Sequence, residues 1–210
     1  QKMNINSTQQ NYLPNPLEKL FFIEPNERSQ ICFLENLTLI DENKNKKANF
    51  IIRIEEISDK TTGFLVHMSC KQCLDNNLYE MSTTSKVSYD LKTIEEIRTE
   101  TANNGEIKKK LYIAKVDDEY EITVTIKYHG DLKEKKTILD IPGEKAENLI
   151  TEGGNVILLR KIAISNYNGK FLAQSILING LICQVEYEIE VNVTFEGTFF
   201  PIWLYSALPI

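Results

Sequence analysis

The side chains best suited to chemistry lie in one short run, His67-Met-Ser-Cys70-Lys-Gln-Cys73. A Cys-x-x-Cys pair can act as a redox dithiol when a helix N-terminus just after a strand lowers the thiol pKa. Here the pair falls at the end of an expected strand, Thr62–Cys70, and is followed by Leu74-Asp75-Asn76-Asn77, with no βαβ pattern nearby. A structural zinc site requires four ligands. His67, Cys70 and Cys73 supply three, and no second pair occurs at metal spacing. The expected reading is small structural thiols, with no metal and no cofactor.

Other candidates are weaker. His67 and His129 are the only histidines, and neither stands beside a nucleophile motif. The acid pairs Glu55–Glu56 and Glu95–Glu96 read as solvated faces. Gly153–Gly154 is not a phosphate loop, because no Gly-x-x-x-x-Gly-Lys-Ser/Thr pattern is present. No catalytic residue is assigned, and the chain is expected not to be an enzyme.

The elements that position these residues are mostly short strands. The exception is Asp140–Ser165, where Ala146, Leu149, Ile150, Gly153 and Ile157 recur at three- and four-residue steps. Pro142–Gly143 ends the preceding strand, Glu144 and Glu147 suit a positive helix start, and Arg160 and Lys161 suit its end. This predicts a helix over about 144–164. Gly153 and Gly154 each weaken a helix by roughly 1 kcal/mol relative to Ala, which makes sense if its backbone lies tightly against a sheet. The alternative is a buried strand over 155–164, with the glycines as a turn.

Strands are expected at Ile31–Asp41, Asn49–Ile57, Thr62–Cys70, Lys86–Lys92, Leu111–Val116, Glu119–His129, Lys170–Ile178 and Leu181–Thr194. In Glu119–His129, Tyr120, Ile122, Val124, Ile126 and Tyr128 alternate with polar residues, as in a half-buried antiparallel strand. Asp117–Asp118 reads as a tight turn, and Asn179–Gly180 as a type I′ hairpin. Near the start, Leu17–Ile23 is expected to carry Leu20, Phe21 and Phe22 into the core. The fold class is therefore mainly β (α+β): a curved antiparallel sheet or half-open β-barrel with the helix packed on its concave face.

At 210 residues the chain can bury one full core. Its net charge of −6 argues against a nucleic-acid partner. The basic runs Lys44–Lys47 and Lys108–Lys110 read as solvated punctuation. The opening residues QKMNINSTQQNYLPNP are polar rather than an apolar leader, so the four cysteines are expected as free thiols in a reducing compartment. No apolar run approaches the roughly 20 residues of a membrane span. The expected division is an extended arm over 1–19, one β-rich domain over 20–194 and an apolar segment over 195–210. Within FEGTFFPIWLYSALPI, residues Phe199, Phe200, Trp203 and Tyr205 either complete the core, dock on a partner, or form one more strand. Tyr12 and Leu13 in the arm are the other candidate partner contacts.

The run Ile150-Thr-Glu152-Gly153-Gly154-Asn155-Val-Ile-Leu-Leu-Arg160, followed by Phe171-Leu172 and the Gly180–Tyr187 strand, resembles the ciliogenesis-associated protein family abbreviated CATIP. Leu20-Phe21-Phe22 and Phe64-Leu65-Val66-His67 are similar in the same order, so the resemblance covers roughly residues 20–190. It implies a β-rich domain around a helix marked by Glu152, Gly153, Gly154, Asn155 and Arg160. It also implies a non-enzymatic protein of cilia, linked to actin organisation and a tetratricopeptide-repeat partner. The expectation that follows is a structural adaptor on the cytoplasmic side, in the axoneme or cytoskeleton, with radial-spoke subunits or an actin-linked factor as neighbours. The alternative in another class is a carrier of an apolar ligand in a helix-capped half-barrel, which requires Leu149, Ile157 and Leu158 to leave space rather than fill it.

Overall fold

The computed structural model describes residues 19–40, 46–58, 62–74, 77–146, 148–189, 192–194, 197–199 and 202–209, the last three segments by backbone alone. Tyr12, Leu13 and Phe200 lie outside the described residues.

Eight strands follow one another in an antiparallel meander: β1 (Phe33–Ile40), β2 (Lys46–Ser58), β3 (Thr62–Leu74), β4 (Asn77–Val87), β5 (Thr93–Ala102), β6 (Ile107–Val116), β7 (Glu119–Tyr128) and β8 (Lys135–Pro142). The sheet is open, with β1 and β8 as its edges. A second sheet, ordered β13-β10-β9, comprises β9 (Gly169–Ile176), β10 (Ile182–Ile189) and β13 (Ile202–Pro209). The short strands β11 (Asn192–Thr194) and β12 (Gly197–Phe199) pair with each other. Two α-helices are described from end to end among these residues: α1 (Arg28–Ile31) and α2 (Glu152–Ser165).

Period-two alternation puts Ile52 and Ile54, Phe64, Val66 and Met68, and Val87 on one face of the large sheet. They meet Ile157, Leu158 and Ile162 of α2 and Phe171, Ala173, Tyr187 and Ile189 of the small sheet in one buried cluster. Phe171 stacks on Tyr187, with ring centroids 4.6 Å apart. A second cluster joins Leu111, Ile113, Tyr120, Ile122, Val124 and Ile141 to Leu149 and Ile176. The helix and the small sheet therefore share the work of covering one face of the large sheet. Burying an apolar side chain of this kind stabilises by about 1.5–3 kcal/mol.

The structure corrects several boundaries. The helix begins at Glu152, not near 144. Residues 143–145 form a 3-10 turn, and the chain then runs beside β9: Gln174 N–H donates to Asn148 O (2.9 Å) and Ile150 N–H to Gln174 O (2.8 Å). Backbone groups committed to a strand cannot also close helical turns. Ala146, Leu149 and Ile150 are nevertheless buried, which explains their helix-like recurrence. At the other end Asn166 is left-handed, and its N–H caps Ile162 O.

Lys86–Lys92 is not a strand. Val87 ends β4, and residues 88–92 turn back with Leu91 at φ 59°, which folds Val87 and Leu91 into the core together. The β4 and β5 strands carry too few apolar residues to show in the hydrophobic pattern. The hairpin at Asn179–Gly180 is present, but only Gly180 has positive φ (85°). Gly180 N–H donates to Leu177 O and Leu177 N–H to Leu181 O, a type I turn closed by a left-handed glycine rather than type I′. Near the start, Leu20 and Ile23 are the buried residues, while Phe22 is 41% exposed. The apolar segment after residue 195 contributes another strand, β13, pairing Glu186 with Tyr205 and Glu188 with Trp203.

Candidate functional site

The His67-x-x-Cys70-x-x-Cys73 run lies within β3. Side chains three residues apart in a strand point to opposite faces, so Cys70 turns away from both His67 and Cys73. The His67 ring Nδ1 lies 3.1 Å from Thr84 Oγ1 on the neighbouring strand. All four cysteines carry free thiols, and burial pushes the Cys32 thiol pKa up. Among the described residues no three His, Cys, Asp or Glu side chains gather as a metal would require.

The concentrated polar chemistry lies instead between β5 and the start of α2, and it overturns the reading of Glu95–Glu96 as a solvated pair. Glu95 is half-exposed, but Glu96 is 0% exposed and Arg98 is 5% exposed. A register shift next to Val87 makes this possible. Thr93 pairs with Val87 and Glu95 with Lys86, so Ile94 is an extra residue and Thr93 and Glu96 both face inward.

The Glu96 carboxylate is fully engaged. Oε1 accepts from Arg98 Nε (2.6 Å), and Oε2 accepts from Thr151 Oγ1 (2.6 Å) and Gly153 N–H (2.9 Å). Thr151 is the N-cap of α2, yet its own side chain does not cap the helix. A carboxylate from the sheet takes that role, satisfying an orphan N–H and placing negative charge at the positive helix end. Arg98 then reaches on: one terminal nitrogen donates to Ile176 O of β9 (2.5 Å) and stands 3.9 Å from Glu152. Thr93 and Thr151 hydroxyls meet at 2.7 Å. One ion pair thus ties together the large sheet, the helix and the small sheet.

The residues expected to mark the helix belong to the same joint. A Cβ on Gly153 would lie 2.3 Å from Ser85 Cβ, closer than atoms can approach. One on Gly154 would meet Leu91 O at 3.3 Å. The helix backbone therefore rests directly on β4 and the turn that follows it. Asn155 Oδ1 accepts from Tyr187 Oη (2.8 Å) in the small sheet. Arg160 donates to Gln30 O (3.1 Å), lies 3.9 Å from Glu35 and stacks over the Phe33 ring at 4.8 Å. Next to it, buried Lys161 pairs with Glu27. A neighbouring surface trio continues this seam. Arg28 stacks on Tyr89 at 3.6 Å, and Tyr89 Oη donates to Glu56 (2.7 Å). Burial is the main cause raising the Tyr89 pKa, and the Glu56 carboxylate adds to it.

This arrangement can fix the helix in place. A carboxylate with no solvent access and three donors on it has no route to a substrate. Sequence reasoning missed Glu96 and Arg98 because it searched for apolar periodicity. The available signal was an acid and a base two residues apart, Glu96 and Arg98, on either side of Ile97 and hence on one strand face. The space between helix and sheet is filled: Ile157 and Leu158 are completely buried and Leu149 nearly so. Among the described residues there are open surface grooves, including one of about 510 Å³ beside β8, lined by Leu139, Ile141, Leu181 and Ile182. No described helix is long and apolar enough to cross a membrane.

No curated protein and no solved structure matches the chain. A family model does, over residues 16–189, and its description is "Ciliogenesis-associated TTC17-interacting protein, N-terminal domain". That span runs from before the first buried residue to the end of β10, and includes the whole joint around Glu96. With most of its length matched and the marked helix serving as the fold's keystone, the chain belongs to the family of ciliogenesis-associated TTC17-interacting proteins, carrying that family's N-terminal domain.

Proposed function

We propose that this protein is a non-enzymatic structural adaptor in a ciliary assembly, built from a rigid two-sheet block with binding segments at its ends. The observation that carries this reading is the match of residues 16–189 to a family described by ciliogenesis and by interaction with TTC17. The use of the buried charged residues supports it: Glu96, Arg98 and Lys161 are committed to holding the fold. The working division is an arm over 1–19, the domain over 20–194 and a docking segment over 195–210 that joins the small sheet as its edge strand β13 and offers the partner its other side. Tyr12, Leu13, Phe199, Phe200, Trp203 and Tyr205 act as aromatic and apolar anchors, the residue types that dominate interface energies. The partners are a TTC17-type tetratricopeptide-repeat protein and axonemal neighbours, radial-spoke subunits among them, with a link to actin organisation.

Binding of the purified full chain to TTC17 is the test, alongside a chain lacking Thr198–Ile210. The full chain should bind, and the deletion should weaken binding at least about tenfold, a loss of 1.4 kcal/mol, while cooperative unfolding is retained. Absence of binding by the full chain contradicts the TTC17 link. Equal binding by the shortened chain contradicts the docking role of the C-terminal segment.

A further inference from the structure

We infer that β8 is a self-association edge, pairing antiparallel with β8 of a second copy of this chain. As the last strand of the large sheet, β8 pairs only with β7, so its outer row of backbone N–H and C=O groups has no strand partner among the described residues. Residues 135–140 are all exposed, and Ile138 at their centre is 55% exposed. An open edge with an apolar centre is a template for another strand.

Charge selects the occupant. On the face of β8 turned away from the helix, Lys136, Ile138 and Asp140 follow at two-residue spacing. Antiparallel pairing about a two-fold axis at Ile138 places Lys136 opposite Asp140 of the other copy, twice, with Ile138 against Ile138 between them. This is the self-complementary pattern of an isologous interface. A parallel arrangement in register would set like charges side by side. Lysines on an edge strand ordinarily guard it against pairing. Asp140, four residues away on the same face, turns that guard into a register-specific contact.

The neighbouring strand strengthens the argument. Asp140 sits directly opposite Glu121 of β7, a like-charge pair that costs stability where it stands alone. No ion pair to a described residue relieves either carboxylate. The second copy's Lys136 would arrive beside both. On the other face, its Thr137 would lie against Leu139, which lines the groove shared with Leu181.

The inference does not depend on the ciliary reading, and its experiment needs no partner. Sedimentation of the full chain across a concentration series should show twice the monomer mass at the upper end. Lys136→Asp and Asp140→Lys should each weaken self-association at least about tenfold, because each turns both symmetric contacts repulsive. The double swap, Lys136→Asp with Asp140→Lys, restores complementarity and should restore the dimer. All three changes are at exposed positions, and the rescue separates pairing from misfolding. A chain that stays monomeric throughout, single variants that still dimerise, or a swap that fails to recover would each overturn the inference.

Discussion

Replacing Glu96 tests the joint at its centre. Glu96→Gln keeps the shape of the side chain but removes the charge facing Arg98, a residue only 5% exposed. Breaking a buried ion pair from one side costs about 3–5 kcal/mol, because the remaining charge is left without a partner. Glu152, 3.9 Å from Arg98 and partly exposed, compensates in part, so the lower figure of about 3 kcal/mol applies. Domains of this size are stable by about 5–15 kcal/mol, so the variant should fold with a markedly lower urea midpoint. With a denaturant slope of about 2 kcal/mol/M, the midpoint falls by about 1.5 M. Arg98→Met strands the carboxylate instead, and frees the Ile176 carbonyl. In a double-mutant cycle the two changes together should cost at least about 2 kcal/mol less than their sum. Additivity within about 0.5 kcal/mol would refute the reasoning, since it would mean the two side chains do not act as a unit.

Other expectations concern the same joint and its surroundings. Gly153→Ala should destabilise by about 2–4 kcal/mol despite the better helix propensity of Ala, because the added carbon meets Ser85; pairing it with Ser85→Gly should recover part of the loss in the same urea titration. Gly154→Ala should stay within about 1 kcal/mol of the wild type, its nearest contact being Leu91 O at 3.3 Å. Burial pushes Tyr120 and Tyr187 up to about 12 from an ordinary 10. A folded-state pKa above the unfolded value means stability that is intact below pH 10 and lost as pH rises through about 12. Each tyrosine accounts for roughly 2–3 kcal/mol of that loss. Tyr120→Phe should visibly flatten the alkaline decline in urea midpoint; an unchanged decline would show that Tyr120 titrates normally. Arg160→Lys should cost about 1 kcal/mol by thermal unfolding, since an ammonium cannot both stack on Phe33 and bond Gln30 O as the planar guanidinium does.

The strands legible in the sequence were those whose inward positions are apolar. Tyr120, Ile122 and Val124 in β7 and Cys183, Tyr187 and Ile189 in β10 alternate with polar residues and are buried. The β4 and β5 strands present Thr83, Ser85, Glu96 and Arg98 inward, so a hydrophobic pattern sees loops there. The run Val87, Tyr89, Leu91 gives the opposite error: alternation arises from a turn whose left-handed Leu91 folds back on the core. The helix was legible as an element but not at its start, because burial of Ala146, Leu149 and Ile150 has the same spacing whether the chain is coiled or extended. The glycine pair did report close packing, though which strand it packs on is a long-range fact. Glu96 lies 57 residues from Gly153, and no local pattern links them.

The most direct test of the central claim is endogenous tagging in ciliated cells, followed by isolation of cilia and quantitative mass spectrometry of what extracts with the tagged chain. The account predicts that the chain fractionates with cilia and co-elutes in a fixed ratio with TTC17 or with axonemal subunits. A monomeric chain recovered outside cilia, with no protein in constant proportion to it, would contradict it.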